Sequence, residues 1–219
     1  MARYRTLFVA ILALGALASR ASAVRLTSVL VLAGDSIGEG GSGGDARDSL
    51  GHLLENYSQG RWLVLNHSYG GQALLGNPYN GRKPDPFEIW ATGAIPVVEL
   101  GTNDWSLGEP LSKFSSAYGA FLDGVRPSRD AAYCITPIWR SNEQEANAIG
   151  LYLQDYRDAI AAVCQERGAV VIDGRLLVPP DPAYFNDGLH PNARGFRVMA
   201  RALKDTLQRT LPRAVPDTP

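Results

Sequence analysis

The fold is decided by the stretch Ser28-Val29-Leu30-Val31-Leu32-Ala33-Gly34-Asp35-Ser36-Ile37. Its apolar first part is typical of a parallel strand that is buried on both faces. A glycine turn follows, and Ser36 lies on that turn, at the end of the strand where ligands bind in open α/β sheets. Because a hydroxyl is a weak nucleophile near neutral pH, Ser36 would need a base to activate it. The stretch therefore predicts an α/β sheet with a candidate nucleophile at its carboxyl edge.

Four further apolar runs follow along the chain, and helical patterns separate them. This alternation predicts one three-layer α/β/α domain with a central five-stranded parallel sheet. The segment 72–93 fits the scheme poorly because glycines and prolines punctuate it, and we expect a long loop that either serves function or only covers the sheet. The predicted strands are 26–34, 62–66, 95–100, 131–136 and 169–173, and the predicted helices are 46–57, 111–125, 145–167 and one that starts at Pro191.

The first 23 residues match the pattern of a secretory signal peptide. Arg3 and Arg5 precede an apolar segment, 6–18, that is shorter than the roughly 20 residues of a membrane span. Ala21-Ser22-Ala23 is a small-residue cleavage site, although an uncleaved anchor is the alternative. We predict cleavage near Ala23, a secreted or periplasmic domain over 24–210 with no membrane span, and a disordered tail over 211–219.

The charge of the chain narrows the class of partner. The 219 residues carry a formal net charge of −1, and loss of the three arginines within 1–23 changes it to −4. This balance does not favour a nucleic-acid partner. We expect a monomer that takes a small-molecule or glycan ester as its substrate.

The chain has two cysteines, Cys134 in a predicted strand and Cys164 in the helix that follows it. Export permits a disulfide, and the two can meet because a crossover helix runs antiparallel to its strand. Two separate buried thiols are the alternative. The cysteines and histidines do not have the spacing of a metal-ligand cluster, so neither a metal nor an organic cofactor is expected.

The base for Ser36 must come from three histidines. His52 lies inside a predicted helix, where an ordinary helix-face residue is the better interpretation. His67 follows the second strand and could approach the same edge of the sheet. His190 comes three residues after Asp187 in a loop, and this spacing can put carboxylate and imidazole side by side. We favour His190, although this loop could instead be a helix N-terminus that Asp187 caps.

Acyl transfer also needs hydrogen-bond donors for the oxyanion that develops on the substrate. The second strand is followed by a turn with Gly70 and Gly71, whose backbone N–H groups can approach a substrate closely. The third strand is followed by Asn103, whose side-chain amide can donate into the same space. Turn chemistry alone could explain each of them, but three strands bring a serine, a glycine turn and an asparagine to one edge of the sheet.

These segments resemble, in order, the four blocks of the SGNH (GDSL-like) hydrolases. The resemblance implies a flavodoxin-like α/β/α fold and serine esterase activity, with Ser36 as nucleophile, His190 as base and Asp187 as its partner. It also implies an oxyanion hole formed by the backbone N–H groups of Ser36 and Gly71 and by the Asn103 side chain. Ile37 replaces the usual leucine. The four blocks are Gly34–Ile37, the turn that ends at Gly71, Gly101–Asp104 and Asp187–His190.

A competing motif lies next to the serine. Residues 38–43 match G-x-G-x-x-G, which occurs in dinucleotide-binding folds. Such a site would need an acidic residue at the end of the second strand, but that strand ends in Asn66 and His67. We interpret these glycines as a flexible lip beside Ser36. Asp35 and Asp173 also lie at strand ends, where we expect them to hold loops.

The leading hypothesis is a secreted serine esterase that forms an acyl-enzyme on Ser36. Trp105 and Trp139-Arg140 follow other strands, and aromatic side chains near an open site suit sugars, so a short-chain acetyl ester of a carbohydrate is our first expectation. Lysophospholipase or thioesterase action on longer acyl chains, and acyl transfer to a sugar, are the alternatives. A binding module without activity, which would hold a glycan or a flavin, is disfavoured because all four blocks are present.

Overall fold

A computed structural model of the protein describes residues 28–40, 47, 49–126 and 131–211. The expected signal peptide lies outside the described residues, as does the expected tail beyond Leu211. Among the described residues, no helix is both long enough and apolar enough to cross a membrane.

The centre of the fold is one sheet of five parallel strands in the order β2-β1-β3-β4-β5, which confirms the predicted fold class. The first strand lies between the second and the third, so their carboxyl ends are neighbours. The strands are β1 (Ser28–Gly34), β2 (Trp62–Asn66), β3 (Ile95–Glu99), β4 (Tyr133–Ile135) and β5 (Val170–Ile172).

Helices cover both faces of this sheet. Successive side chains of a strand point to opposite faces, so Leu30 and Leu32 join one buried core while Val31 and Ala33 join the other. The helices are α1 (Ser36–Glu39), α2 (Leu50–Tyr57), α3 (Pro86–Trp90), α4 (Thr102–Leu107), α5 (Leu111–Val125), α6 (Leu153–Glu166) and α7 (Ala193–Thr210), and short 3₁₀ turns span Gly174–Leu176 and Pro182–Tyr184.

Each face has its own pair of helices. α2 packs against α7 on one face, and α5 packs against α6 on the other. The face of α7 that meets the sheet buries Phe196, Met199, Leu203 and Leu207, which the sequence pattern had indicated. This arrangement gives the three layers that the alternation of strands and helices predicted.

The prediction of a helix over 145–167 is wrong at its start, because α6 begins at Leu153. The Asn147 side chain accepts hydrogen bonds from the backbone N–H groups of Ile149 and Leu151. Gly150 has a φ of +82°, in the left-handed region that interrupts a helix. The segment before Leu153 is therefore a turn that local hydrogen bonds hold in place, although its apolar spacing is typical of a helix.

The starts of two other helices also differ from the prediction. α7 begins at Ala193 rather than at Pro191, because the Asn192 side chain accepts from the N–H groups of Arg194 and Gly195 and so caps the helix. α2 begins at Leu50, after the cap residue Ser49. In both cases a polar side chain fixes the helix start, which apolar periodicity locates only roughly.

A disulfide joins Cys134 in β4 to Cys164 in α6, and both residues are fully buried. The structure thus contains the first of the two alternatives for this pair. It connects the sheet directly to one of its covering helices.

Candidate active site

The candidate nucleophile occupies the first turn after β1. Ser36 is the first residue of α1, and the Asp35 carboxylate caps this helix by accepting from the Ile37 N–H at 2.9 Å. The Ser36 N–H has no acceptor within the helix, as is usual at a helix N-terminus. Asp35 thus holds its loop, as the sequence predicted, and it fixes the direction of the neighbouring serine.

Ser36, His190 and Asp187 form a continuous series of hydrogen bonds. Ser36 Oγ lies 2.9 Å from His190 Nε2, and His190 Nδ1 lies 2.7 Å from Asp187 Oδ2. Ser36 is half-buried, and 16% of the His190 side chain is exposed. A serine, an imidazole and a carboxylate in this order are the groups that general-base activation of a hydroxyl requires.

The Asp187 carboxylate is held in its ionised form. Partial burial would raise the pKa of Asp187, but hydrogen bonds from the His190 ring and from the backbone N–H groups of His190 and Leu189 lower this pKa to about 2. The same loop contains Gly188, which has a φ of +78° and accepts a hydrogen bond from the Ser141 N–H. The loop after β4 therefore supports the carboxylate that orients the imidazole.

The other two histidines have different surroundings. His52 lies exposed on α2, which agrees with its interpretation as a helix-face residue. His67 is half-buried after β2, where its N–H donates to the Leu32 carbonyl. His190 is therefore the histidine that the structure brings into hydrogen-bond contact with Ser36.

In the glycine turn after β2, the N–H groups of Gly70 and Gly71 differ in their hydrogen bonding. The Gly70 N–H already donates to the Glu39 carboxylate at 2.8 Å, whereas the Gly71 N–H has no partner among the described residues. Gly71 has a φ of +76°, so an ordinary side chain would be strained there. Of the two glycines that the sequence left open, Gly71 thus has the N–H that is available to a substrate oxygen.

Asn103 links the ends of three strands. Its Nδ2 lies 3.0 Å from Asp35 Oδ2 in the turn after β1 and 2.9 Å from the Gln72 carbonyl oxygen in the turn after β2. An amide group has two hydrogens, so both are engaged in this state. Donation to a substrate oxygen requires Asn103 to share or release the Gln72 carbonyl.

Two residues that the sequence analysis missed hold the glycine turn in place. Arg82 Nη1 donates to the Gly70 carbonyl at 2.6 Å, and Asn77 Nδ2 donates to the Gly71 carbonyl at 2.7 Å. Both lie in the irregular segment 72–93, which contains the short helix α3. The only sequence signal was the unusual length of this loop.

The aromatic residues around the site differ from the expectation of an open sugar-binding surface. Trp105 is only 4% exposed, and the Arg140 guanidinium lies 4.5 Å from its ring centroid. Trp139 packs on Phe185, with their ring centroids 4.9 Å apart. The expectation was therefore wrong for Trp105, which is a buried support for Arg140.

Arg140 is a cation that acts on two carboxylates of the site, Asp187 and Asp35. Its guanidinium donates to Ser106 and Asn142, which fix it beside the Trp105 ring. Burial lowers the pKa of Arg140, while Asp187 and Asp35 act in the opposite direction. This positive charge partly balances the acidic groups around Ser36.

Asp173 holds a loop, and the described part of the glycine-rich motif belongs to α1 and its end. Asp173 accepts from the Arg175 N–H and pairs with the Arg175 guanidinium, so it holds its loop. Gly38 lies within α1, Gly40 follows its end, and the remainder of the motif lies outside the described residues. Within the described part of the chain, no group of three or more His, Cys, Asp or Glu residues is placed to hold a metal ion.

Comparison with known proteins concerns the family and the fold of the chain. The model of the GDSL-like lipase/acylhydrolase family matches residues 32–198. No curated protein sequence matches the chain significantly. Solved structures with a similar fold include TesA, with 19% identity, 84% of this chain and 99% of that chain covered, and a TM-score of 0.69.

Two further solved structures have names that state an activity. One is the lipase/acylhydrolase from Enterococcus faecalis, with 17% identity, 85% of this chain and 98% of that chain covered, and a TM-score of 0.68. The other is the psychrotrophic esterase EstA from Pseudoalteromonas, in a structure inhibited by monoethylphosphonate, with 16% identity, 84% and 98% covered, and a TM-score of 0.67. At these identities, both likenesses concern the fold. The family match covers most of the chain, so the protein belongs to the GDSL-like lipase/acylhydrolase family and is a serine hydrolase that acts on ester bonds.

Proposed function

We propose that the protein is a secreted esterase that removes a short acyl group, best an acetyl group, from a carbohydrate. The observation that carries the hydrolytic part is the series of hydrogen bonds from Ser36 through His190 to Asp187. It joins a hydroxyl to a base that an ionised carboxylate orients. These three residues are the catalytic residues of the proposal.

The reaction proceeds in two steps on Ser36. His190 Nε2 takes the hydroxyl proton while Ser36 Oγ forms a bond to the ester carbonyl carbon. The tetrahedral intermediate then expels the alcohol, which receives its proton from His190, and an acyl-Ser36 ester remains. A water molecule gives a proton to His190, attacks this ester and releases the acid, while Ser36 recovers its proton.

The negative charge of each tetrahedral intermediate needs donors that are already in position. The Ser36 N–H at the start of α1 and the Gly71 N–H are two such donors, because neither has an acceptor among the described residues. Asn103 is the third donor, once its amide shares or releases the Gln72 carbonyl. We assign the oxyanion hole to these three groups.

Polar surroundings of the serine support a polar substrate. Glu39 and Arg82 hold the Gly70 peptide, Asn77 holds the Gly71 carbonyl, and Tyr69 next to them is 44% exposed. A long acyl chain would gain most from an apolar wall, since its affinity comes from buried apolar area. The polar neighbours suit the hydroxyl groups of a sugar. The exposed ring of Tyr69 can contact the face of that sugar.

The test is a series of chromogenic esters that differ only in acyl length, with Ser36→Ala as the control. We expect turnover to fall steeply beyond acetyl, and Ser36→Ala to lose both turnover and covalent labelling by an organophosphonate. A maximum at long chains would instead support lipase-like or thioesterase action. Labelling that persists in Ser36→Ala would exclude Ser36 as the nucleophile.

Export is a separate part of the proposal. The signal-peptide pattern of residues 1–23 supports it, and so does the disulfide between Cys134 and Cys164, since such bonds persist in oxidising compartments. The N-terminal sequence of protein recovered outside the cytoplasm should begin near Val24. Recovery of the intact chain in the cytoplasm alone would contradict export.

A further inference from the structure

Glu99 is a fully buried carboxyl group at the end of β3, beside the end of β1 that leads to Ser36. The reaction described above does not use it. It is the last residue of β3 and pairs in register with Gly34 of β1. The Cβ of any side chain at position 34 would lie 3.0 Å from Glu99 Oε2 and 2.9 Å from the Glu99 carbonyl oxygen. Gly34 thus leaves the space that the Glu99 carboxyl occupies between two central strands.

Glu99 and Asp35 are two buried carboxyl groups that are close neighbours. Both are fully buried, and Asp35 directly follows Gly34, the register partner of Glu99, where a Cβ would lie 3.0 Å from Glu99 Oε2. Two carboxylates cannot both stay ionised side by side in such a site, because desolvation and mutual repulsion disfavour two negative charges. One of the two therefore holds a proton.

The hydrogen-bond donors decide which carboxyl is protonated. Asp35 accepts from the Ile37 N–H at 2.9 Å and from Asn103 Nδ2 at 3.0 Å, and both donors stabilise its ionised form. The backbone N–H groups of Asp35 and Gly38 act on Glu99, but neither oxygen of Glu99 accepts a hydrogen bond from an N–H or O–H group among the described residues. The proton therefore belongs on Glu99, where it can be donated to Asp35.

The other charged and titratable groups near this pair act in different directions, since Asp104 repels the charge of Asp35 whereas two cations favour that charge. Asp104 on α4 is buried and acidic, and Tyr118 on α5 has a buried hydroxyl without a partner among the described residues. Burial, foremost, and then the charge of Asp35 raise the pKa of Glu99 well above its usual range. The positive influences of His190 and Arg140 act on Asp35.

We propose that Glu99 is a positioning residue that stays protonated and donates its proton in a hydrogen bond to Asp35, which in turn holds both Ser36 and Asn103 in place. Asp35 Oδ1 caps the turn that carries Ser36, and Asp35 Oδ2 holds the Asn103 amide. Glu99 thus connects β3 to both sides of the oxyanion hole without touching substrate. Its effect on turnover rests on the proposed function, whereas its protonation does not.

Two variants separate the proton from the bulk of the side chain. Glu99→Gln keeps a neutral donor of the same size, and we expect its turnover number to stay within about threefold of the wild type. Glu99→Met fills the space without a donor, and the loss of a hydrogen bond to a charged group should lower the turnover number about 10-fold or more at an unchanged KM. Turnover of the wild type should fall at alkaline pH as Glu99 ionises, and this fall should be absent in Glu99→Gln.

Infrared spectroscopy tests the protonation without any substrate. At about pH 8, the difference spectrum between the wild type and Glu99→Gln should contain the C=O stretch of a protonated carboxylic acid. Absence of this band would overturn the proposal, as would full turnover in Glu99→Met or equal losses in both variants. If Glu99→Met does not fold, the infrared difference and the pH profile of Glu99→Gln still test the proposed protonation of Glu99. If the wild type hydrolyses no ester, the proposed function fails and the infrared result stands by itself.

Discussion

At the scale of single residues, Asp35 connects Ser36, the proposed nucleophile, to the rest of the site. One carboxylate oxygen caps the helix that Ser36 begins, and the other accepts from the Asn103 amide. Asn103 in turn reaches the Gln72 carbonyl next to the glycine turn. The relative positions of the three proposed oxyanion donors therefore depend on one buried carboxylate and one amide.

Replacement of Asn103 tests this link. Asn103→Ala should lower the turnover number on an aryl acetate by about 100-fold or more, because it removes one donor to the developing oxyanion. The KM should change little, since the ground-state carbonyl carries less charge than the transition state. Steady-state kinetics with an acetyl ester measure both values.

Thermal unfolding of Asn103→Ala serves as the control, because the substitution also removes the bonds to Asp35 and Gln72. A cooperative unfolding transition close to that of the wild type would attribute the kinetic loss to the site. Wild-type turnover in a folded Asn103→Ala would remove Asn103 from the oxyanion hole.

At the scale of elements, the irregular segment 72–93 is a support for the glycine turn. Arg82 holds the Gly70 carbonyl, which belongs to the same peptide group as the Gly71 N–H. In a trans peptide the carbonyl and the N–H point in opposite directions, and the described residues contain no cis peptide. Arg82 therefore fixes the direction of the Gly71 N–H from the far side of the peptide.

Arg82→Met should lower the turnover number about 10-fold, because the Gly70 carbonyl loses a hydrogen bond from a charged donor. Stability should change little, since the Arg82 side chain is exposed and the backbone bonds of this residue remain. The measurement is the turnover number on an acetyl ester together with the unfolding midpoint.

Lys83→Met is the matched control, since it removes an exposed positive charge from the neighbouring position. It should retain wild-type turnover. Equal losses in Arg82→Met and Lys83→Met would indicate a general effect of charge and would contradict the role of Arg82 in holding the Gly70 carbonyl.

At the scale of the whole molecule, three acids lie buried below one edge of the sheet: Asp35, Glu99 and Asp104. Burial, foremost, raises the pKa of Asp104 to about 7 and that of Asp35 to about 6. In the unfolded chain these groups ionise near their ordinary values. Between about pH 4 and pH 7 the folded protein therefore binds more protons than the unfolded chain, and its stability falls as the pH rises.

Asp104→Asn should remove part of this pH dependence while its side-chain oxygen still accepts from the Leu74 N–H. At about 1.4 kcal/mol for each unit of pKa shift, Asp104 accounts for a loss on the order of 4 kcal/mol in the free energy of unfolding between about pH 4 and pH 7. Urea unfolding at several pH values, in the wild type and the variant, measures this difference. Parallel pH profiles of the two proteins would contradict the burial of an ionisable group at this position.

The sequence allowed the sheet and the edge of the site to be predicted, because both depend on patterns along the chain. Apolar runs located all five strands, and their carboxyl ends located Ser36 and Asn103. Contacts between distant residues leave no such pattern. Glu99 was read only as part of an apolar strand, and Arg82 only as part of a long loop, since their partners lie on other strands and turns.

Helix starts were predicted less well than strands for a related reason. Asn147 and Asn192 place polar side chains on nearby backbone N–H groups, and these local bonds end or begin a helix independently of apolar spacing. The engagement of both Asn103 hydrogens was also beyond the sequence, because it depends on the carbonyl of Gln72 in a different turn.

The hydrogen bond between Ser36 and His190 joins residues that are 154 positions apart. A growing chain contains Ser36 early, but His190, its proposed base, is in place only after the segment before α7 has been synthesised and has packed onto the sheet. Closure of so long a loop costs conformational entropy, and contacts that are distant in sequence slow folding. With Ser36 and His190 in their proposed roles, hydrolytic activity reports completion of the fold, and partly made or truncated chains that lack this last segment should be inactive.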